Sequence, residues 1–229
     1  VLARVAREVA EEAAAAARRR RAELFTETGH RPGEHGVTTK STPTDPVTLA
    51  DTETEVLIRR LLDERRPGDD VLGEEAGGST AAPAGVRWVV DPIDGTVNFL
   101  YGIPAYAVSL AAQVDGRSVA GAVVDVARGL TYWAAEGGGA WCRGPAGERR
   151  LQVNPVGDLS LALVATGFGY TRRRREAQAP LIAGLLPQVR DLRRMGAAAL
   201  DLCMVASGAV DAHIEHGLSP WDWAAGGLI

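Results

Sequence analysis

The chain of 229 residues is 46% hydrophobic and 24% charged, which excludes disordered and fibrous classes and leaves a soluble globular protein, as one large α/β unit or two smaller domains. Its 29 acidic and 25 basic side chains give a formal charge of −4. A surface that coats polyanions is therefore not expected, nor is nucleic acid as a partner.

Residues 1 to about 25 are rich in Ala, Glu and Arg, with Val1, Leu2, Val5 and Val9 at helical spacing before the Arg18 to Arg21 run; they predict an amphipathic helix. Gly29 to Gly36 interrupts it with Gly, Pro and His, and a polar stretch through Lys40 and Asp45 follows. Thr48 with Asp51 three residues later is a capping-box-like start for a second helix over 49–65. The Pro67-Gly68 turn and the Gly/Ala loop from Gly77 to Gly85 bracket a short segment ending in Gly73-Glu74-Glu75. Val86 to Val90 reads as a buried strand that delivers Asp91 at its end. From Ala105 to Trp141, β-rich runs separated by Asp115-Gly116 and Arg128-Gly129 predict an antiparallel meander. Gly137-Gly138-Gly139 lacks the Lys-Ser/Thr of a P-loop and reads as a hairpin turn. After Val153 strands and helices alternate: a strand over 161–165, helices over 177–189 and 196–207, a strand over 210–215 and a helix opening near Trp221. The expected division is 1–152 and 153–229.

Two cysteines, Cys142 and Cys203, are too few for a disulfide framework, and Cys203 in an apolar run reads as a buried free thiol. No apolar stretch reaches the ~18 residues of a membrane span. The first residues, charged at Arg4, Arg7 and Glu8, lack a signal-peptide core, so the expected place is the cytoplasm with no membrane contact. The chain opens without Met and stops in an apolar run at Ile229 with no capping residue, so further residues are expected at both ends.

Asp91-Pro92-Ile93-Asp94-Gly95-Thr96 is the most informative segment. Two carboxylates end a hydrophobic strand, Pro92 stiffens the turn, and Gly95 lets backbone N–H groups approach an anion. Carboxylates beside an anion site imply a cation between them; the plain alternative is an Asp-Pro turn with a capping Asp. Glu74 and Glu75 precede the strand, and Asp222 opens a helix between Trp221 and Trp223. Singly, these read as loop charges and a first-turn carboxylate. Together they form an all-oxygen set, the donor chemistry that Mg²⁺ prefers, and their mutual repulsion is relieved when divalent ions neutralise them.

Four blocks in order, Lys40 to Asp51, Gly73-Glu74-Glu75, Trp88 to Phe99, and Gly196 to Cys203 through Glu215 to Pro220-Trp221-Asp222, make nearly the whole chain resemble the inositol monophosphatase family. That family belongs to a lithium-sensitive, magnesium-dependent phosphatase group that also holds fructose bisphosphatases. The resemblance implies an α/β (α+β) fold, a layered α-β-α-β-α sandwich whose first domain carries most metal ligands. The second domain, incomplete here, would supply Asp222 and substrate contacts. It implies two or three Mg²⁺ ions held by Glu74, Asp91, the Ile93 carbonyl, Asp94 and Asp222. Asp51 and Thr96, with Glu74 among the catalytic groups, would activate water for in-line displacement without a phosphoenzyme. Asp94, Gly95, Thr96, Ala198, Glu215 and Asp222 would contact a small phosphate monoester in a homodimer inhibited by lithium. Inositol monophosphate is the expected substrate; histidinol phosphate or another small monoester is the alternative. Glu215 and Ala198 suggest one hydroxyl-binding carboxylate with little bulk, and no stacking or basic groups for an adenosine bisphosphate. Departures from the pattern are Pro46, where an apolar residue often stands, and the long loop Gly29 to Val37.

Other readings weigh less. A haloacid-dehalogenase motif fails because the two Asp residues are three apart and Pro92 intervenes. His213 and His216 lie on opposite faces of a strand and read as structural. Arg172 to Arg175, extended by Arg18 to Arg21, offers a handle for RNA or a transcription complex, the alternative of a different class; a solvated charge run is the plainer reading. Trp88, Trp133 and Trp141 are expected to pack sheets rather than stack on bases.

Overall fold

A computed structural model describes residues 1–25, 37–39, 46–79 and 85–229, with backbone alone at 37, 39, 46 and 47. The glycine- and histidine-bearing segment 29–36, the polar stretch 40–45, the side chain of Pro46 and residues 80–84 lie outside the described residues.

Helix α1 (Leu2–Leu24) buries Val5, Ala6, Val9, Ala10, Ala13, Ala14 and Ala17, a face of small residues that lets a helix approach a sheet closely. Strands β1 (Val37–Thr39) and β2 (Pro46–Thr48) form a small antiparallel pair ahead of α2 (Leu49–Arg65). The second helix has the bounds expected from its capping box: the Thr48 hydroxyl accepts from the Ala50 amide at 3.2 Å, and the Thr48 amide donates to Asp51 Oδ2 at 2.9 Å.

Next come β3 (Asp70–Gly73), β4 (Val86–Asp94), α3 (Thr96–Tyr101), β5 (Ala107–Val114), β6 (Arg117–Asp125), β7 (Leu130–Ala135), β8 (Gly139–Gly144) and β9 (Gly147–Arg150). The strands form one seven-stranded sheet in sequence order, parallel between β3 and β4 and antiparallel from there on. The expected meander is present and extends two strands further, with Gly137 to Gly139 turning β7 into β8. Residues alternate between two cores: Trp88, Val90, Val108, Leu110 and Val124 pack beneath α1 and α2, while Val89, Ala107, Ala111 and Val123 face the opposite side.

After a 3₁₀ turn at Leu159–Leu161 follow β10 (Leu163–Thr166), α4 (Arg172–Leu185), β11 (Asp191–Arg193), α5 (Ala198–Ala206), β12 (Ala212–Ile214) and α6 (Pro220–Trp223). Strands β11, β10 and β12 make a parallel three-stranded sheet in that order. Ala199, Leu200, Cys203 and Ala225 fill the second face of the large sheet. The layers run α1/α2, large sheet, α5/α6, small sheet and α4, an α-β-α-β-α sandwich. Cys203 and Cys142 are buried free thiols.

Some local expectations shift. Helix α4 starts at Arg172, not near Ala177, because the Thr171 hydroxyl accepts from the Arg174 amide at 3.3 Å and a capped start outweighs the lack of apolar periodicity. The helix continues past Pro180. Strand β12 ends at Ile214, so the opposite-face argument does not reach His216, whose carbonyl accepts from Gln178 Nε2 at 3.2 Å. Arg18 and Arg21 are not a free charge run: they donate to the Val126 and Phe99 carbonyls at 2.8 and 2.9 Å. Arg21 also lies over the Phe25, Phe99 and Tyr106 rings. Trp88 is fully buried, with its indole N–H on Asp69.

Candidate active site

Strand β4 carries the first acidic pair because it is irregular at its end. Asp91 pairs with Ser109 and Asp94 with Ala107, so β4 holds one extra residue there. Pro92, which has no amide hydrogen for a ladder, falls inside this bulge. Residues three apart on a regular strand face opposite sides; the extra residue brings both carboxyls into one electrostatic environment. Asp91 Oδ1 accepts from the Ile93 amide at 3.0 Å. Asp94 accepts from the Ala198 and Ala199 amides at 3.3 and 2.7 Å. It thereby caps α5, whose own N-cap residue, Ala197, has no side chain for the purpose.

Gly95 opens α3 in the left-handed region, φ 89°, and a Cβ there would lie 2.9 Å from the Ala105 carbonyl oxygen. No other residue fits both demands. Thr96 follows, buried, with its hydroxyl 3.0 Å from Asp51 Oδ1 and 3.1 Å from the Ile93 carbonyl oxygen. The Thr48 amide and hydroxyl hold the other Asp51 oxygen at 2.9 and 2.5 Å. Asp51 thus caps α2 and orients Thr96 at once.

Glu74 is placed by a residue the sequence reading did not single out. Glu55, 1% exposed on α2, accepts from the Glu75 and Ala76 amides at 2.7 and 3.1 Å and from Arg59 Nε at 2.8 Å. Its carboxylate sits where a Cβ of Gly73 would be, 2.2 Å away. The signal was present: Asp51 and Glu55 stand four apart, one above the other on a helix, and both are buried.

Glu74, Asp94, Ala198, Glu215 and Asp222 line one cleft of about 290 Å³, with Asp201, Phe168, Tyr170, Arg174, Arg194 and Trp221. Asp222 reaches it from α6, where its Oδ2 accepts from the Ser219 amide at 2.6 Å in a second capping box. Thr96, Asp51 and Asp91 are buried and do not line this cleft. The expected absence of stacking and basic groups is corrected here: Arg174, Arg194, Phe168 and Tyr170 converge through long-range folding from segments with no local pattern. Arg174 donates to the Gly217 carbonyl at 3.2 Å; all four of Arg172 to Arg175 are exposed.

Burial raises the Asp91 carboxyl well above its ordinary value, and Glu74, Asp94 and Asp222 add to this. Asp94 is raised likewise, first by burial and then by Asp222, against the Ala199 amide that favours its charge. Burial pushes Asp51 up to about 7, the Thr48 hydrogen bonds opposing. Among the described residues no three His, Cys, Asp or Glu groups are gathered as a closed metal cage. What is present is a buried acidic cluster whose members destabilise one another's charge, the condition a hard divalent cation relieves.

A model described as the inositol monophosphatase family matches residues 2–229. An inositol-1-monophosphatase of Mycobacterium leprae is 58% identical over 229 residues, 98% of this chain and 79% of that protein. A Nus factor SuhB of Pasteurella multocida is 38% identical over 193 residues, 84% of this chain and 71% of that protein. The solved structure of Mycobacterium tuberculosis SuhB is similar at a TM-score of 0.84 and 52% identity, covering 100% of this chain and 82% of that one.

Proposed function

Since the chain belongs to the inositol monophosphatase family, a family of phosphatases, we propose that it is a magnesium-dependent phosphomonoesterase acting on inositol 1-phosphate. The observation that carries this is the Thr96–Asp51 pair, a buried hydroxyl held by a carboxylate, next to Asp94 and the acidic cleft. Two or three Mg²⁺ would be held by Glu74, Asp91, the Ile93 carbonyl, Asp94 and Asp222, all oxygen donors. In this reading 1–152 carries most of these ligands, and 153–229 supplies Asp222 and the substrate contacts. Bound there, the ions would offset phosphoryl charge, activate water and stabilise the leaving alkoxide.

The chain's own residues do the positioning and proton transfer. A carboxylate with a pKa of about 7 is a stronger base than an exposed one. Donating to Asp51 Oδ1, the Thr96 hydroxyl keeps a lone pair for the attacking water. As water adds in line to phosphorus, Thr96 accepts its proton and passes its own to Asp51, while the leaving alkoxide is protonated by solvent. The backbone at Gly95 and Thr96 faces the phosphate, and Ala198 and Glu215 meet the alcohol, a carboxylate being able to accept two hydroxyl hydrogen bonds.

A phosphate-release panel with Mg²⁺ tests the reading. Inositol 1-phosphate should show a higher kcat/KM than histidinol phosphate, fructose 1,6-bisphosphate or adenosine 3′,5′-bisphosphate. The Arg174 and Arg194 rim makes the two bisphosphates worthwhile competitors. A preference for any of the three overturns the substrate and leaves the metal mechanism; no Mg²⁺-dependent turnover on any overturns both. Lithium inhibition, a homodimer and a cytoplasmic place belong to the same proposal. Among the described residues no helix is long and apolar enough to cross a membrane.

The similarity to a Nus factor SuhB favours a second reading, binding to RNA or a transcription complex through the exposed turn Arg172 to Arg175. A binding module has no need of a Thr96–Asp51 pair beneath an acidic cleft, so the enzyme is the reading we adopt.

A further inference from the structure

We propose that His213 is a positioning residue for substrate recognition: with Gly167 it holds the Glu215 carboxylate in the one orientation that meets a pair of substrate hydroxyls. This rests on the reading of Glu215 as the hydroxyl-binding group of the cleft. Strands β10 and β12 pair with Ala165 opposite His213 and Thr166 opposite Ile214. The Thr166 hydroxyl donates to the Ile214 carbonyl at 2.8 Å, tying the two strand ends together. One step further on, a Cβ added to Gly167 would stand 2.0 Å from Glu215 Oε2 and 2.4 Å from Oε1. The carboxylate therefore occupies space that any side chain at 167 would take.

His213 Nε2 lies 3.4 Å from the same Oε2, the two side chains being 5% and 12% exposed. That nitrogen is buried and has no hydrogen-bond partner among the described residues, and neither has Asp201 Oδ1, also buried, on α5. His213, Glu215 and Arg194 all act electrostatically on Asp201. The imidazole thus touches Glu215, just past β12, and lies within electrostatic range of Asp201 on α5. Without it, Glu215 gains by turning toward water, where its charge is solvated. The strands themselves are held by backbone bonds and do not need the ring.

The test compares inositol 1-phosphate with p-nitrophenyl phosphate, which has no alcohol hydroxyls, using the full chain with Mg²⁺. For His213→Phe the KM for inositol 1-phosphate should rise about tenfold, as for loss of a well-placed hydrogen bond to a charged group. Its kcat, and the KM for the aryl ester, should stay near wild type, and His213→Gln should restore most of the loss. Gly167→Ala displaces the carboxylate without touching the ring and should give the same split, so the test does not hang on one variant folding. Equal changes on both substrates, or none, overturn the proposal. Glu215→Ala separates the two layers. If it raises the inositol 1-phosphate KM while the His213 and Gly167 variants do not, the proposal alone falls. If it leaves that KM unchanged, the reading of Glu215 falls and the proposal with it.

Discussion

Among the described residues two carboxylates, the buried Glu55 and the partly exposed Glu215, occupy the missing Cβ of a glycine, and they differ in what else holds them. Glu55 against Gly73 accepts two backbone amides and the Arg59 guanidinium. Glu215 against Gly167 has, among the described residues, no hydrogen bond to its carboxylate, and the His213 imidazole nitrogen stands 3.4 Å from it. A satisfied carboxylate is scaffold: its acceptor capacity is spent on the turn that presents Glu74. One with unspent capacity at a cleft wall is suited to bind. In the proposed reading the same glycine device serves rigidity on the metal side and recognition on the alcohol side.

The largest expected effect lies on the metal side. Asp91→Asn replaces a fully buried carboxylate of the acidic cluster by an amide and should lower turnover roughly a thousandfold, the worth of several kcal/mol of transition-state charge stabilisation. Turnover measured across a Mg²⁺ titration decides it, and near-normal rates at any Mg²⁺ concentration would refute the assignment. Glu55→Ala comes next. It leaves the Glu75 and Ala76 amides without their acceptor and removes one contact of Arg59, which keeps the Gly77 carbonyl, so it should cost about 1–3 kcal/mol of stability and lower activity on every substrate alike. Denaturant melts and kinetics on two unrelated esters check this. A stable variant with altered KM on one ester alone would erase the distinction between the two carboxylates.

This contrast also marks what was legible beforehand. The Thr48/Asp51 cap, the buried strand before Asp91 and the turn at Gly95 are local: each is written in neighbours within a few residues, and the structure matches them. Arg174 and Arg194 act across long loops, so no local spacing announces them, whereas Glu55 had a local sign in its place one turn past Asp51 on the same helix. Asp94 as the cap of α5 joins residues more than a hundred apart. Strand β11 is three residues long between charges, too short for periodicity to register. The cores were visible as apolar runs; which polar groups they trapped was not.

Asp201, behind the recognition side, gives a smaller and pH-dependent effect. Burial pushes its carboxyl up to about 7, His213 and Arg194 opposing and Glu215 assisting, against an ordinary value near 3.8. Between those pH values the folded chain holds a proton that the unfolded chain has lost, so this group's contribution to stability falls as pH rises through the window. Asp201→Asn has no such proton. Relative to wild type it should gain stability from about pH 4 to about pH 8, by at most about 4 kcal/mol. Melts in chelator at both pH values measure the difference; parallel stability curves would show that Asp201 does not titrate in this range.

The smallest effect is the most selective. Glu215→Gln keeps an oxygen acceptor and nearly the same shape, and loses only charge. For neutral hydroxyls the loss is that between a charge-assisted and an ordinary hydrogen bond, so the KM for inositol 1-phosphate should rise by a few-fold, about threefold to fivefold. Histidinol phosphate would place an ammonium against the same group, where the full ion pair disappears and the amide's own N–H₂ opposes the cation. Its KM should rise by a further factor of about ten. Side-by-side kinetics of the two esters on wild type and variant reads the ratio directly. If both KM values shift equally, Glu215 does not meet the alcohol part of either substrate, and the recognition side of the comparison must be sought among Asp201, Arg174 and Arg194 instead.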